Sequence, residues 1–420
     1  MILFLLGITV AVSFCLAQSE LRLNFSKAVE LALTQNREIL KLKREIASLE
    51  DIYRAQKWGR FAPKVELLID KDSVNLFTSI LLLDFGNRLA RIRSAQINTM
   101  IKKELLKELE RQVKIRMFRL FMELALSEKL AEVRREEMAV AYVRFDRERE
   151  RLERGLSDRV KVARWESTYT RFRAQLFEAQ RKYNETLLEI KRLAGIPVDK
   201  PVEVLYRDLL NFDIPPDKTV DTSFFLKKIN NNYLVKVKSL EISYLESKAT
   251  EQKRIFYPEL YGYLQVKNYY ESLHKTRGSA NLLLRIPLFD GKTSFYREKS
   301  FLDLKRAVEV ERKDIIERIK SEILKAPYVW EELMASYRDA LTFDNWAQEN
   351  LDLSRSNYEL ELAFDLGYAM STKTEAERKV MESKFNIILY LMRLFDLVGE
   401  DPAKALNGKF LFLVDKVGEI

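Results

Sequence analysis

Between Asn87 and Arg154 the chain runs for 68 residues without a glycine or a proline. The two residues that break helices are both missing, so nothing there stops an α-helix. A helix of that length reaches roughly 100 Å at about 1.5 Å per residue, where an average globular helix has only ~11–12 residues. Leu106, Leu109, Val113, Met117, Leu120 and Leu124 recur at spacings of three and four, which places them on one face. A stripe that long needs partner helices of similar length. The run closes at Arg154-Gly155-Leu156-Ser157. Glycine suits a left-handed helix end there, and Ser157 or Asp158 can cap a new start. A second breaker-free run, Ser157 to Ala194, ends at Leu193-Ala194-Gly195-Ile196-Pro197, a glycine stop with proline beyond it. Residues 87–194 therefore read as one helical hairpin turning at Gly155.

Twelve glycines and nine prolines in 420 residues favour long helices over many short elements. Residues are 47% apolar and 32% charged, enough to form a core. The net charge of +9 comes from acids and bases interleaved along helices, the pattern of solvated helix faces. No basic block is interleaved with aromatics as a nucleic-acid platform requires, so no nucleic-acid partner is expected. The apolar run Ile2–Ala17 is short for a membrane span and fits a signal peptide over 1–17, cleaved after Ala17. Lipid attachment at Cys15, the sole cysteine, is the alternative. Cleavage leaves a cysteine-free mature chain.

After the signal, Asn24 or Ser26 can cap a helix running to about Trp58. Phe61-Ala62-Pro63 breaks it. Residues 64–84 then alternate like two strands around Lys71-Asp72-Ser73, and Asp84-Phe85-Gly86 leads into the long helix. The same order returns about 200 residues later. Asn232 to Ile255 is helix-like, Phe256-Tyr257-Pro258 breaks it, and strands are expected over Glu259–Tyr270 and Ser279–Leu288. Ile286-Pro287-Leu288-Phe289-Asp290-Gly291 opens another long run to Leu366, in which Pro327 predicts a kink. Gly367 answers Gly155, and Leu397-Val398-Gly399 answers Leu193-Ala194-Gly195. The pattern predicts an internal duplication. Repeats would cover 18–195 and 223–400, with a linker over 196–222 holding Pro197, Pro201, Pro215 and Pro216, and a tail over 401–420. Helices over 26–58 and 157–194, stacked end to end, would match the long run in length.

The fold class is mainly α with a small β part: long α-helical hairpins plus four strands in two hairpins. A lone hairpin is marginal in water. In lipid, strand edges must close, and four strands are too few for a barrel, so closure would need several chains. Tyr257, Tyr261, Tyr263, Tyr269 and Tyr270 suit an interfacial girdle, or else the edge of a soluble β-layer. Chemistry is sparse. The single histidine, His274, falls in a loop and forms no metal-site spacing. No nucleophile elbow and no phosphate loop is present. No catalytic, cofactor-binding or metal residues are expected. Asp84 and Asp290 stand at strand ends, as helix caps or pore-lining groups.

Phe25-Ser26-Lys27-Ala28-Val29-Glu30-Leu31-Ala32-Leu33 followed by Asn36 resembles the opening of the TolC-like outer-membrane efflux protein family. So do Phe61-Ala62-Pro63, Phe256-Tyr257-Pro258, Ile286–Gly291, Gly155-Leu156-Ser157 and Leu193-Ala194-Gly195, in their order. The resemblance covers about 24–400 and implies a homotrimer sharing one 12-stranded barrel, with an α-helical tunnel in the periplasm. It implies a passive efflux or secretion duct in the outer membrane, in contact with outer-membrane lipid, a periplasmic adaptor and an inner-membrane transporter. Barrel–helix junctions would lie at Pro63, Asp84, Gly86, Pro258, Pro287, Asp290 and Gly291. The periplasmic tips, gate and adaptor contact would lie at Arg154, Gly155, Leu156, Ser157, Asp365, Gly367, Tyr368 and Glu375. The sequence departs from the family near Lys373 and Ala376, where acidic residues are common; Glu375 or Asp365 is the substitute. The alternative is a periplasmic coiled-coil adaptor or scaffold without a pore.

Overall fold

The computed structural model describes residues 21–59, 62–210, 218–269, 276–360, 366–406 and 413–415. The expectations for 1–17 with Cys15, and for Phe61, Pro215, Pro216, Tyr270, His274 and Asp365, fall outside the described residues. The chain forms two compact units, and each draws on both halves of the sequence.

Unit 1 comprises the described parts of 1–36, 116–214 and 335–386. It holds strand β1 (Leu21–Asn24) paired in parallel with β4 (Val202–Leu205), helix α1 (Phe25–Gln35) and α4 (Arg159–Ala194). It also takes the later parts of α3 (Asn87–Glu153) and α7 (Thr293–Glu359), and most of α8 (Leu366–Leu397). Asn24 caps α1 by accepting from Lys27 N at 2.9 Å. The first helical residue, Phe25, sits edge-on to Phe118 and Phe121 at 6.0 and 5.8 Å, and Phe118 meets Phe385 at 6.4 Å. Such T-shaped pairs add about 0.5–1.5 kcal/mol each beyond burial. Of the predicted stripe on α3, Val113, Met117, Leu120 and Leu124 are buried, and Leu106 and Leu109 are half-buried.

Unit 2 comprises the described parts of 37–115, 215–334 and 387–420. It holds α2 (Arg37–Trp58), α5 (Thr222–Leu226), α6 (Tyr233–Lys253) and a four-stranded sheet. A short pair, β5 (Lys218–Val220) with β8 (Leu413–Asp415), runs antiparallel. Neither this pair nor β1 with β4 was legible as strand in the sequence. α7 stays helical across Pro327 and stops at Glu359, before the predicted Leu366.

The helix predicted over 26–58 is in fact two, broken at Asn36, whose ψ is 127°. Its buried amide donates to the Leu193 carbonyl at 3.1 Å, and Gly195 turns α4 off at φ 71°. The second half repeats this device. Asn232 is extended, with ψ 139°, and donates to the Leu397 carbonyl at 2.8 Å. Gly399 stands beyond it at φ 69°. Each asparagine satisfies a helix-end carbonyl that would otherwise be orphaned.

Candidate functional site

The sheet is an antiparallel meander, β2 (Lys64–Asp70), β3 (Ser73–Leu83), β6 (Glu259–Tyr269) and β7 (Thr276–Arg285), in that order. β7 ends at Arg285, so Ile286 to Leu288, predicted as strand, is connection. The register sorts side chains into two faces of different character. One face carries Val65, Leu67, Ile69, Leu76, Ile80, Leu264, Val266, Leu282 and Leu284. The other is mixed but more polar, with Lys64, Glu66, Asn75, Gln265, Lys267, Asn281 and Arg285 beside Leu68, Phe77, Leu81 and Leu283. The apolar face is uncovered: Ile69 is 69% and Leu282 72% exposed. An apolar patch of this extent marks a surface meant for lipid or protein. Tyr261 and Tyr263 sit on the polar face, stacked at 5.9 Å, with Phe77 5.3 Å from Tyr263. They stand on the face opposite the mainly aliphatic one. Strands of ~9–11 residues span a bilayer; β3, β6 and β7 have 11, 11 and 10, and β2 has 7. Among the described residues the outer edges of β2 and β7 have no strand partner.

The strand-to-helix junctions match in the two halves. Asp84, buried, accepts from Gly86 N at 3.1 Å and Arg88 N at 2.6 Å, capping α3. Asp290 accepts from Ser294 N at 2.8 Å and from the Ser294 hydroxyl, capping α7. Two consecutive left-handed residues precede each helix: Phe85 (φ 46°) with Gly86 (φ 90°), and Gly291 (φ 69°) with Lys292 (φ 63°). The Gly86 carbonyl accepts from Arg254 at 2.9 Å. Pro63 and Pro258 immediately precede β2 and β6, and Pro287 lies in the connection after β7. Replacing Asp84 with alanine should cost about 1–2 kcal/mol, the scale of a helix cap, read as a lowered thermal midpoint. The Asp84→Asn variant, which keeps one of the two accepting oxygens, should lose less than the alanine variant.

In unit 1 the first hairpin turn is a glycine-capped helix end. Gly155 (φ 74°) donates to Leu152 O at 2.9 Å and Leu156 N to Arg151 O at 2.8 Å. Asp158, not Ser157, caps α4, accepting from Lys161 N at 2.8 Å. Ser157 instead donates to Glu148 at 2.6 Å. Arg154 and Leu156 are exposed. Gly367 differs from its expected counterpart, because it lies inside the first turn of α8 and not in a turn. It is a close-packing residue: a Cβ there would overlap the side chain of Val140 on α3. Beside it the Arg144 guanidinium lies between the rings of Trp165 and Tyr368, 5.0 and 4.4 Å from their centroids. This cluster joins α3, α4 and α8 and had no signal in the sequence, its members being remote. A groove of about 490 Å³ runs there, lined by Val140, Val143, Arg144, Arg147, Trp165 and Gly367 among others. Further along α8, Glu375 is held by Arg378 through two 2.8 Å bonds. Lys373 pairs with Asp344 at 2.8 Å. Thr374 donates to Glu136, whose carboxyl is pushed up chiefly by burial. Among the described residues no three metal-ligating side chains converge, and no helix is long and apolar enough to cross a membrane.

No family model and no curated protein sequence matches the chain. Solved structures do. The Campylobacter jejuni CmeC outer membrane channel aligns with a TM-score of 0.72 at 13% identity, over 91% of this chain and 89% of that one. A membrane protein from Pseudomonas aeruginosa gives 0.70 at 14%, over 89% and 93%. The outer membrane protein VceC from Vibrio cholerae gives 0.69 at 13%, over 90% and 96%. The resemblance read from the sequence therefore holds at the level of the fold: the chain is folded as these three membrane proteins are.

Proposed function

We propose that the chain is one of three identical subunits of an outer-membrane channel, the exit duct of a multicomponent efflux or secretion system. The observation that carries this reading is the sheet, with one mainly aliphatic face, one more polar face and two open edges. In hydrocarbon every strand edge must be closed. The β2 edge of one copy would pair with the β7 edge of the next, and three copies would close twelve strands. The apolar face would then meet lipid and the polar face, with Tyr261 and Tyr263, would line water. The neighbours CmeC and VceC are outer-membrane proteins in the same sense.

The long helices would form the periplasmic tunnel, through which solutes pass without an energy source in this chain. No enzymatic role is assigned. An inner-membrane transporter and a periplasmic adaptor would supply drive and docking, the adaptor meeting Arg154, Leu156, Ser157, Tyr368 and Glu375. Opening would be a shift in helix packing near Gly155 and Gly367, where Gly367 allows α8 its close approach to Val140. The matched devices Asn36 and Asn232, Gly195 and Gly399, Asp84 and Asp290 support a duplicated origin for 18–195 and 223–400. The test separates inner and outer membranes by density, extracts with detergent and measures oligomer mass. A trimer from the outer membrane with pore conductance in planar bilayers is expected. A monomer that needs no detergent would sink the channel and favour the coiled-coil scaffold.

A further inference from the structure

In unit 2 the four strands meet the helices at one end of the sheet, before Lys64 and Glu259 and after Leu83 and Arg285. The described residues within ten positions of those four points hold eight lysines and arginines and only three acids, Asp84, Glu251 and Asp290. Less than a tenth of the chain thus carries more than half of its net charge of +9. The far end of the sheet shows no such excess among the described residues, where Asp70 and Asp72 stand with Lys71, Lys267 and Arg277. The three acids are already engaged. Asp84 and Asp290 cap α3 and α7, and Glu251 pairs with Arg91 and Lys248 at 2.8 and 3.0 Å. Lys57, Arg93, Lys253 and Lys292, one in each connecting segment, are exposed and have no acidic partner among the described residues.

Each of these four cations has a large apolar neighbour that water also reaches. Lys57 precedes Trp58, which is 76% exposed. Arg93 lies one turn along α3 from exposed Leu89, and Lys253 lies four residues before exposed Tyr257. Lys292 lies between Phe289, 77% exposed, and Phe295. Apolar and aromatic groups of this size settle a segment at the boundary between hydrocarbon and headgroups, and a lysine or arginine there extends its charge to the phosphates. A zwitterionic headgroup brings no net charge, whereas an anionic one supplies the countercharge that this end of the sheet lacks. We propose that these four cations form a collar that binds anionic phospholipid headgroups in the leaflet on the helix side of the membrane. This rests on the outer-membrane reading above. Lipid is the occupant because the collar is continuous with the mainly aliphatic face of the sheet, which lipid covers in that reading. The selectivity for charge is the added property, since the aliphatic face alone would accept any phospholipid.

The experiment extracts the full chain in neutral detergent and reconstitutes it into phosphatidylcholine vesicles. Spin-labelled phosphatidylglycerol or spin-labelled phosphatidylcholine is added, and electron paramagnetic resonance reads the share of each that the protein surface holds still. Phosphatidylglycerol should be favoured about fivefold at low salt. The preference should collapse at about 1 M salt, where the screening length falls to roughly 3 Å. The combined Lys57→Gln, Arg93→Gln, Lys253→Gln and Lys292→Gln chain should lose it. The combined Lys57→Arg, Lys253→Arg and Lys292→Arg chain should keep it, so that the loss reports charge and not folding. Equal restriction of the two lipids, a preference indifferent to salt, or one that outlives the glutamine changes overturns the collar and leaves the channel standing. A chain that restricts neither lipid overturns the outer-membrane reading and the collar with it.

Discussion

Gly399→Ala should destabilise the chain by about 3–5 kcal/mol, from the left-handed backbone and steric overlap together. Its φ of 69° disfavours any Cβ. The added methyl would also collide with the Asn231 carbonyl oxygen. That carbonyl cannot retreat. Asn231 N is bonded to Lys228 O at 2.8 Å, and the next residue, Asn232, is tied to Leu397 at 2.8 Å. The first-half counterpart, Gly195→Ala, should cost nearly as much, with Gln35 Cβ 2.7 Å and Gln35 O 3.0 Å from the new methyl. Gly155→Ala is the control. It has a similar φ of 74° and nothing within 4 Å, so only the backbone term of about 1–2 kcal/mol applies. Thermal midpoints by circular dichroism on the three detergent-extracted variants give the ranking. Equal losses at Gly155 and Gly399 would show that conformation, not contact, governs these sites.

The same residues show what the sequence could disclose. Helix lengths, hairpin turns and face alternation were legible because each is a local period or a local breaker. Lys71-Asp72-Ser73 and Pro63 delimit the first hairpin as read. The break at Asn36 was not legible, since asparagine inside a helical pattern is only mildly unfavourable and its partner, Leu193, is 157 residues away. β1 was hidden for the same reason, its parallel partner β4 lying at Val202–Leu205. At Gly367 a true glycine signal received the wrong cause. Glycine serves positive φ and close approach equally, and only Val140 decides between them. The tyrosines were placed on the correct strand and the correct alternation, yet alternation alone does not say which face meets lipid. The register of β2, β3 and β7 beside them adds that the other face is the mainly aliphatic one, while Leu81 and Leu283 share the face of Tyr261.

Asp396 should make unit 2 less stable as pH rises from about 4 to about 7. Its carboxyl is pushed up to about 6, first by burial and then by the Glu108 carboxylate. Arg111 at 3.1 Å and Gln112 at 2.8 Å oppose the shift without cancelling it. Both also bind Glu108, at 2.5 and 2.8 Å, so two carboxylates share one guanidinium and one amide. Around this knot stand the Lys114–Asp401 and Lys228–Glu400 pairs, and Tyr233, whose hydroxyl is pushed up by burial and by Glu108. An unfolded aspartate titrates near 3.9. Between the two values the folded chain holds the extra proton, so stability is highest at the acid end of that window and is lost as pH rises through about 6. Two pKa units correspond to about 3 kcal/mol, an upper figure for this single group. Asp396→Asn keeps an oxygen for Arg111 and removes the second negative charge. The variant should be more stable than the parent at pH 7.5 by about 1–2 kcal/mol, and its advantage should vanish by pH 4.5. Glu108→Gln should flatten the same slope part-way, by lowering the pKa of Asp396. Guanidinium midpoints at pH 4.5, 6.0 and 7.5 check all three chains. A slope through pH 6 that survives unchanged in Asp396→Asn would assign the titration elsewhere.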